Sequence, residues 1–174
     1  MRKISSEELE EILETHKLWL RSRETESCRA NLSGTDLTGA NLSKANLREA
    51  DLSGVNLTEA LLFSADLSGA NLTEANLTRA DLSWANLTEA DLFNATFFEA
   101  NLYADDLIGA NLSGTDLSGA DLSGANLSDT GFWGTDLRGA DLRVVAAKGC
   151  WIRKAKFSSP KDRIRLLMLG AREV

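Results

Sequence analysis

Residues 110–124 read ANLSGTDLSGADLSG, three copies of a five-residue unit that recurs along most of the chain. Leucine is the centre of the unit at every fifth position from Leu32 to Leu142, except for Phe97 and Phe132. A second column lies two residues before it, from Ala30 to Ala140, with seventeen alanines and four threonines among its twenty-three members. The unit is therefore Ala, Asp or Asn, Leu, Ser or Thr, and a variable residue.

A spacing of five residues suits neither a helix nor a flat strand. On a helix, successive leucines would be rotated by about 140° and would occupy every face. On a strand, the odd spacing would send alternate leucines to opposite sides of the sheet. Both conflicts disappear if the backbone turns a corner about every five residues, so that four corners close a square coil of about twenty residues. We predict an all-β parallel solenoid of about six to seven stacked coils over residues 30–159.

The two ends of such a stack expose unpaired backbone groups and open core, so caps are expected. At the N-terminal end, Ser5 and Glu8 form a capping-box pattern, which predicts a helix over residues 5–22 within a cap and lead-in of residues 1–29. A role in covering the first coil and a role in binding a partner both remain open. The apolar stripe of this helix comprises Leu9, Ile12, Leu13, His16, Trp19 and Leu20.

A short second helix is predicted within the C-terminal segment 160–174, with Pro160 at its first position and Gly170 past its end. The stripe expected to pack on the last coil comprises Ile164, Leu167, Met168 and Ala171. Leu166 and Leu169 then face elsewhere, which predicts a homodimer contact through this end of the molecule.

Composition is consistent with one soluble domain, because the 174 residues carry a net charge of −7 and contain no apolar run long enough to span a bilayer. Met1–Ile4 precedes acidic residues without an apolar signal core, which predicts a cytoplasmic protein. Cys28 and Cys150 lie near opposite ends of the stack, so two reduced thiols are expected. With one histidine, no zinc-ligand spacing and no phosphate-binding glycine loop, we expect no metal, no cofactor and no catalysis.

Charge is distributed unevenly along the chain. Residues 49–136 hold fifteen acidic side chains and one basic one, whereas residues 137–174 hold three acidic and ten basic ones. An acidic shaft with a basic end should attract different partners along its length, although ordinary solubilisation explains the acidic surface equally well. Glu59, Arg79 and Glu99 are twenty residues apart and are expected to stack as a charge ladder.

Basic residues also surround the last coil, where Arg138, Arg143, Lys148 and Arg153 fall on four successive sides. This basic collar suits an acidic partner or the acidic shaft of a second copy. Direct nucleic-acid binding is not expected, because the collar lacks the interleaved aromatic side chains of known nucleic-acid modules.

One coil departs from the repeat at its outward positions, which elsewhere are nearly always Ser or Thr. It carries Phe93, Phe98, Tyr103 and Ile108, an apolar belt that predicts a protein-binding surface unless neighbouring coils cover it. The same coil has Asp105 in the alanine column. Because a buried carboxylate without partners is costly, we predict either a bulge that turns Asp105 outward or a hydrogen-bonded acid with a shifted pKa.

The tandem units, such as Ala110–Gly114 and Ala120–Gly124, resemble those of the pentapeptide-repeat family over about three quarters of the chain. The resemblance implies a right-handed quadrilateral β-helix with the Leu and Ala columns inside. It also implies a bacterial source, since cyanobacteria are rich in such repeats.

Three functions are compatible with these observations. The first is a noncatalytic structural scaffold that presents a rigid surface, starting with the belt, to a protein partner of unknown identity. The second is implied by the resemblance alone: some members of the family mimic duplex DNA with an acidic β-helix, bind DNA gyrase and protect it from inhibitors. The third is a purely structural or regulatory role in a bacterium.

Overall fold

Parallel bridges between residues twenty apart run along the whole repeat in the computed structural model, which describes residues 1–22 and 28–173. The ladders of bridges begin at Asn31, Asp36, Asn41 and Asn46, so each twenty-residue coil has four sides. Along most of the repeat, the backbone N–H of the central leucine donates to a carbonyl of the next coil, as in the 2.7 Å bond from Leu72 to Asp91. The pairing agrees with the predicted coil length, while the handedness stays a prediction.

Regular elements are short because the chain turns a corner every five residues. Neither helix in the described part of the chain is long and apolar enough to cross a membrane. Positions 23–27 of the predicted lead-in and position 174 of the C-terminal segment lie outside the described residues. The elements, in chain order, are β1 (Arg2–Lys3), α1 (Ser6–Arg21), β2 (Thr35–Asp36), β3 (Gly131–Trp133), β4 (Trp151–Arg153), α2 (Pro160–Met168) and β5 (Arg172–Glu173).

These strands form two small parallel sheets at the ends of the stack. β1 pairs with β2 at the first coil, and β3, β4 and β5 pair in that order at the last one. The terminal segments of the chain therefore pair with part of the backbone groups that would otherwise be exposed at each end of the stack.

The core is made of the two columns seen in the sequence. The central residues from Leu32 to Leu142 are all at most 5% exposed, and most of the alanines beside them are equally buried. Threonines enter the alanine column by donating their hydroxyl to the backbone, as Thr115 does to the Leu112 carbonyl at 2.7 Å. The column thus admits a polar side chain when that side chain finds a partner in the turn.

Asp and Asn side chains fold back onto the turn that follows them. In one repeat, the Oδ1 atom of Asp81 accepts hydrogen bonds from the Ser83 N–H at 3.1 Å and from the Ser83 hydroxyl at 2.6 Å. Asn101, one coil on, donates its amide to the same oxygen at 2.9 Å. This column therefore shapes the corners, which is the behaviour of Asx turns.

Helix α1 covers the first coil, in agreement with its apolar stripe. Ser5 caps the helix, its Oγ accepting from the Glu8 N–H at 3.1 Å. His16 and Trp19 are buried and stacked, with ring centroids 5.4 Å apart. Burial is the main cause that lowers the pKa of His16, and the neutral ring accepts the Ala30 N–H at Nδ1 over 3.1 Å. This bond ties the cap to the first residue of the alanine column.

Helix α2 differs from the prediction in the face that it turns to the core. It ends at Met168, and the chain then reverses at Gly170 and returns as β5. The predicted inward stripe holds only in part: Leu167 and Ala171 pack against the core, whereas Ile164 and Met168 are 49% and 82% exposed.

The dimer contact predicted at Leu166 is wrong, because this side chain is 0% exposed and belongs to the core cluster of the stack. Leu169 is 40% exposed and keeps the surface position that the prediction required.

Two further sequence predictions concern thiols and charges. Cys28 and Cys150 are both free, and burial raises the pKa of Cys150 to about 11. Arg79 pairs with Glu99, one coil on, with Nε and Oε2 2.9 Å apart. Glu59 influences Arg79 through its charge, and the hydrogen bond with Glu99 is the main cause of the raised Arg79 pKa. The ladder is thus a close pair with a third, more distant member.

Asp105 stays inside the core, where it is 1% exposed. Its Oδ1 accepts the Ala85 N–H at 2.9 Å, whereas its buried Oδ2 has no hydrogen-bond partner among the described residues. Burial raises the pKa of Asp105 well above its ordinary value, opposed by the Ala85 N–H and reinforced by the charge of Asp81. Bridges from Asp106 to the coils on both sides continue through this corner, so the hydrogen-bonded acid, and not the bulge, is the outcome found.

Neighbouring leucines provide a test of the core. Leu62 is 0% exposed and Leu61 is 46% exposed. We expect Leu62→Ala to lower the free energy of unfolding by about 2–5 kcal/mol, through lost burial and a new cavity, and Leu61→Ala to change it by less than about 0.5 kcal/mol. Chemical denaturation followed by circular dichroism measures both. Equal losses for the two variants would contradict the assignment of inward and outward positions.

The buried acid makes stability depend on pH. Because the folded state raises the Asp105 pKa, it binds the proton more tightly than the unfolded chain, so stability falls as pH rises above the unfolded value of about 3.9. Asp105→Asn keeps an Oδ1 acceptor and removes the charge. We expect the variant to match the wild type near pH 4 and to exceed it by about 1–3 kcal/mol at neutral pH. Unfolding curves at several pH values measure the difference, and parallel profiles would contradict the explanation.

Candidate functional site

The predicted belt is a ring and not a single patch. Phe93 and Tyr103 are each 44% exposed, Phe98 is 37% exposed, and Ile108 is partly buried. Each side chain follows a different ladder of bridges, so each of the four lies on its own side of the coil. A partner that binds one flat side can therefore contact only one belt residue.

Further exposed apolar side chains lie on the side that carries Tyr103. Leu61, Phe63 and Trp84 accompany it there and are 46%, 39% and 58% exposed. Bridges from Leu61 to Asp81 and from Asp81 to Asn101 place these residues in three consecutive coils. We call Leu61, Phe63, Trp84 and Tyr103 the Trp84 patch.

Trp84 joins the coils of this patch. Its ring meets the ring of Tyr103 edge to face, with centroids 5.7 Å apart, a favourable arrangement for two aromatic rings. Its backbone N–H donates to the Tyr103 carbonyl at 3.0 Å, and its φ of 64° is that of the turn position in every repeat. The large side chain therefore projects from a rigid corner, and not from a flexible loop.

Hydrogen bonds to two aspartates hold the backbone and side chains next to the patch in place. The Asp105 carboxyl holds the Ala85 N–H, directly after Trp84, from inside the core. Asp81 lies in the middle coil of the patch, and its Oδ1 accepts hydrogen bonds from both Ser83 and Asn101. The patch is thus an apolar surface on a preorganised backbone, surrounded by the acidic shaft. A partner that binds it loses little conformational entropy from ordering this side of the interface.

Sequence reasoning noticed parts of the patch without assembling it. Phe63 and Trp84 occupy outward positions of the repeat, and Tyr103 is part of the predicted belt. Leu61 was missed, although it replaces Asp or Asn in a column that bridges to the next coil. The usable signal was the twenty-residue period, because it places residues 61–64, 81–84 and 101–104 on one side.

The basic collar is half neutralised by the chain itself. Arg138 pairs with Asp136 at 2.6 Å and Arg143 with Asp141 at 2.5 Å. The hydrogen bond from Arg138 is the main cause that lowers the pKa of Asp136 to about 2. In the described part of the chain, Lys148 and Arg153 have no carboxylate partner, so they are the collar residues with charge available to a ligand.

Across residues 1–22 and 28–173, no three His, Cys, Asp or Glu side chains are grouped as ligands of one ion. The carboxylates of the Asp column bond to their own turns instead, as Asp116 does with Ser118 at 2.5 Å.

The repeat and the fold both have known counterparts. The family model described as pentapeptide repeats matches residues 29–63, 65–102 and 106–143 in eight copies. Among solved structures, the pentapeptide repeat protein Rfr23 from the cyanobacterium Cyanothece 51142 aligns with a TM-score of 0.57 and 26% identity. The alignment covers 83% of this chain and 97% of that one.

Two further structures are more distant. A pentapeptide repeat protein from the Arabidopsis thaliana thylakoid lumen has a TM-score of 0.46 and 28% identity, over 61% of this chain and 78% of that one. QnrB1, a plasmid-mediated fluoroquinolone resistance protein, has a TM-score of 0.49 and 22% identity, over 81% of this chain and 80% of that one. No curated protein sequence matches significantly. The matched repeats cover most of the chain, and the protein therefore belongs to the pentapeptide-repeat family.

Proposed function

We propose that this protein is a noncatalytic scaffold, a right-handed quadrilateral β-helix that presents the Trp84 patch to a protein partner. The observation that carries the proposal is the grouping of four exposed apolar side chains in three consecutive coils on one side. Exposed apolar clusters with aromatic residues are typical of protein-binding surfaces. The predicted cytoplasmic location is part of the same proposal.

The surroundings of the patch suggest the chemistry of that partner. Residues 49–136 carry fifteen acidic side chains and a single basic one. A partner with an apolar centre and basic residues around it would complement both features, since rim charges steer association and the apolar centre supplies affinity.

DNA mimicry is the second candidate, and the same acidic shaft favours it. A mimic of duplex DNA would bind DNA gyrase through carboxylates and would be sensitive to salt. The basic C-terminal end and the apolar patch are unlike a DNA surface, which is why the scaffold is the leading proposal.

The test is affinity capture with matched variants. The patch variant combines Phe63→Ser, Trp84→Ser and Tyr103→Ser, each of which restores a residue type that the repeat already uses at that position, as at Ser43, Ser64 and Ser123. The control variant combines Phe93→Ser and Phe98→Ser on other sides of the coil. Proteins captured from bacterial lysate at low and high salt are identified by mass spectrometry.

The scaffold proposal expects a partner that survives high salt, binds the control variant and is lost with the patch variant. Undiminished capture by the patch variant would refute the patch. Gyrase captured only at low salt by all three proteins, together with inhibition of supercoiling at low protein concentration, would establish the second candidate instead.

A further inference from the structure

Another departure from the repeat lies on the side of the coil opposite the Trp84 patch, near the C-terminal end. Gly131 stands in the Asp or Asn column, bridged to Asn111 on one side and to Trp151 on the other. The missing side chain leaves a groove of about 290 Å³. The residues that line this Gly131 groove are Ser113, Gly131, Phe132, Trp133, Trp151 and Arg153.

Two indole rings form the walls of the Gly131 groove. Trp133 and Trp151 lie on adjacent strands of the β3–β4 pair and are 55% and 44% exposed. A guanidinium lies over each ring. The Arg153 Cζ is 4.9 Å from the Trp133 ring centroid, and the Arg172 Cζ is 5.4 Å from the Trp151 ring centroid. These cation–π contacts hold exposed rings in a defined orientation, which an unassisted surface tryptophan lacks.

The charge at the groove comes from Arg153 and Arg172. Within residues 1–22 and 28–173, neither Arg153 nor Arg172 pairs with a carboxylate, in contrast to Arg138 and Arg143. A guanidinium that stacks on a ring still presents its N–H donors at the edge of its plane, where a phosphate or carboxylate can accept them.

We propose that the Gly131 groove binds a small planar aromatic anion, with the ring against Trp133 and Trp151 and the anionic group on Arg153. Aromatic rings stack on indole, and the volume suits one ring system, at the lower end of the range for small-molecule sites. The ligand class includes free nucleotides and aromatic carboxylates. The site is separate from the Trp84 patch and does not depend on it.

Adenosine monophosphate (AMP) is the first probe. The protein is titrated with AMP, and NMR follows its four tryptophan indole N–H signals. We expect the Trp133 and Trp151 signals to shift with AMP, while those of Trp19 and Trp84 stay in place. Adenosine, which lacks the anion, and inorganic phosphate, which lacks the ring, should each bind at least about tenfold more weakly. Raised salt should weaken AMP binding.

Gly131→Asn is the decisive variant because it restores the residue type of the column and fills the groove. An added Cβ meets only the Ser113 Oγ at 3.9 Å, an ordinary contact, so the variant should fold. We expect it to weaken AMP binding by at least about tenfold, and Arg153→Gln to weaken it by about five- to tenfold. Trp84→Ser, on the other side, is the matched control and should leave binding unchanged.

Indole-3-acetate serves as a second probe that distinguishes the two sources of ligand. Tighter binding of AMP identifies a nucleotide site, and tighter binding of indole-3-acetate identifies a site for aromatic carboxylates. The proposal is overturned if neither probe shifts the Trp133 and Trp151 signals at millimolar concentration, or if Gly131→Asn binds both probes as the wild type does.

Discussion

The backbone hydrogen bonds between one coil and the next are the constraint on which the rest of this structure depends. Along most of the repeat, the N–H of the central leucine donates to a carbonyl nineteen residues further along the chain, as Leu77 does with Thr96 at 2.7 Å. Because all four sides share one continuous chain, an extra residue in any corner would displace every later bond. A strict five-residue unit is the simplest sequence that keeps all the ladders in register.

The same constraint determines where chemical variety can arise. Three positions of each unit have structural duties: a small residue inward, a leucine in the core, and an Asp or Asn that bonds the turn, as Asp121 does with Ser123. The remaining two point outward and vary more widely, although the last of them takes a positive φ, as Trp84 does. Both surfaces proposed here combine such outward residues with a break in the Asp or Asn column, Leu61 in the Trp84 patch and Gly131 in the groove.

Local rules predicted much of the molecule. The twenty-residue coil, the inward columns and the Ser5 cap of α1 follow from period and capping pattern. For Asp105, the cost of burying a charge left two alternatives, of which the structure has the buried acid. The face of α2 was predicted only in part, because helical spacing alone does not determine which side of a helix the last coil covers. Leu166 accordingly closes the core and does not face a second copy.

By itself, the sequence determined which side chains point inward, how many residues form a coil and where the repeat is interrupted, because these properties depend only on spacing along the chain. Only the folded chain shows which side chains at these irregular positions come into contact. Tyr103 joins Trp84 and not Phe98, and Trp133 joins Arg153, because side chains become neighbours by stacking of coils rather than by proximity in sequence. The tertiary structure also decided which charges stay available, since pairing of Arg138 and Arg143 depends on the local conformation of each turn.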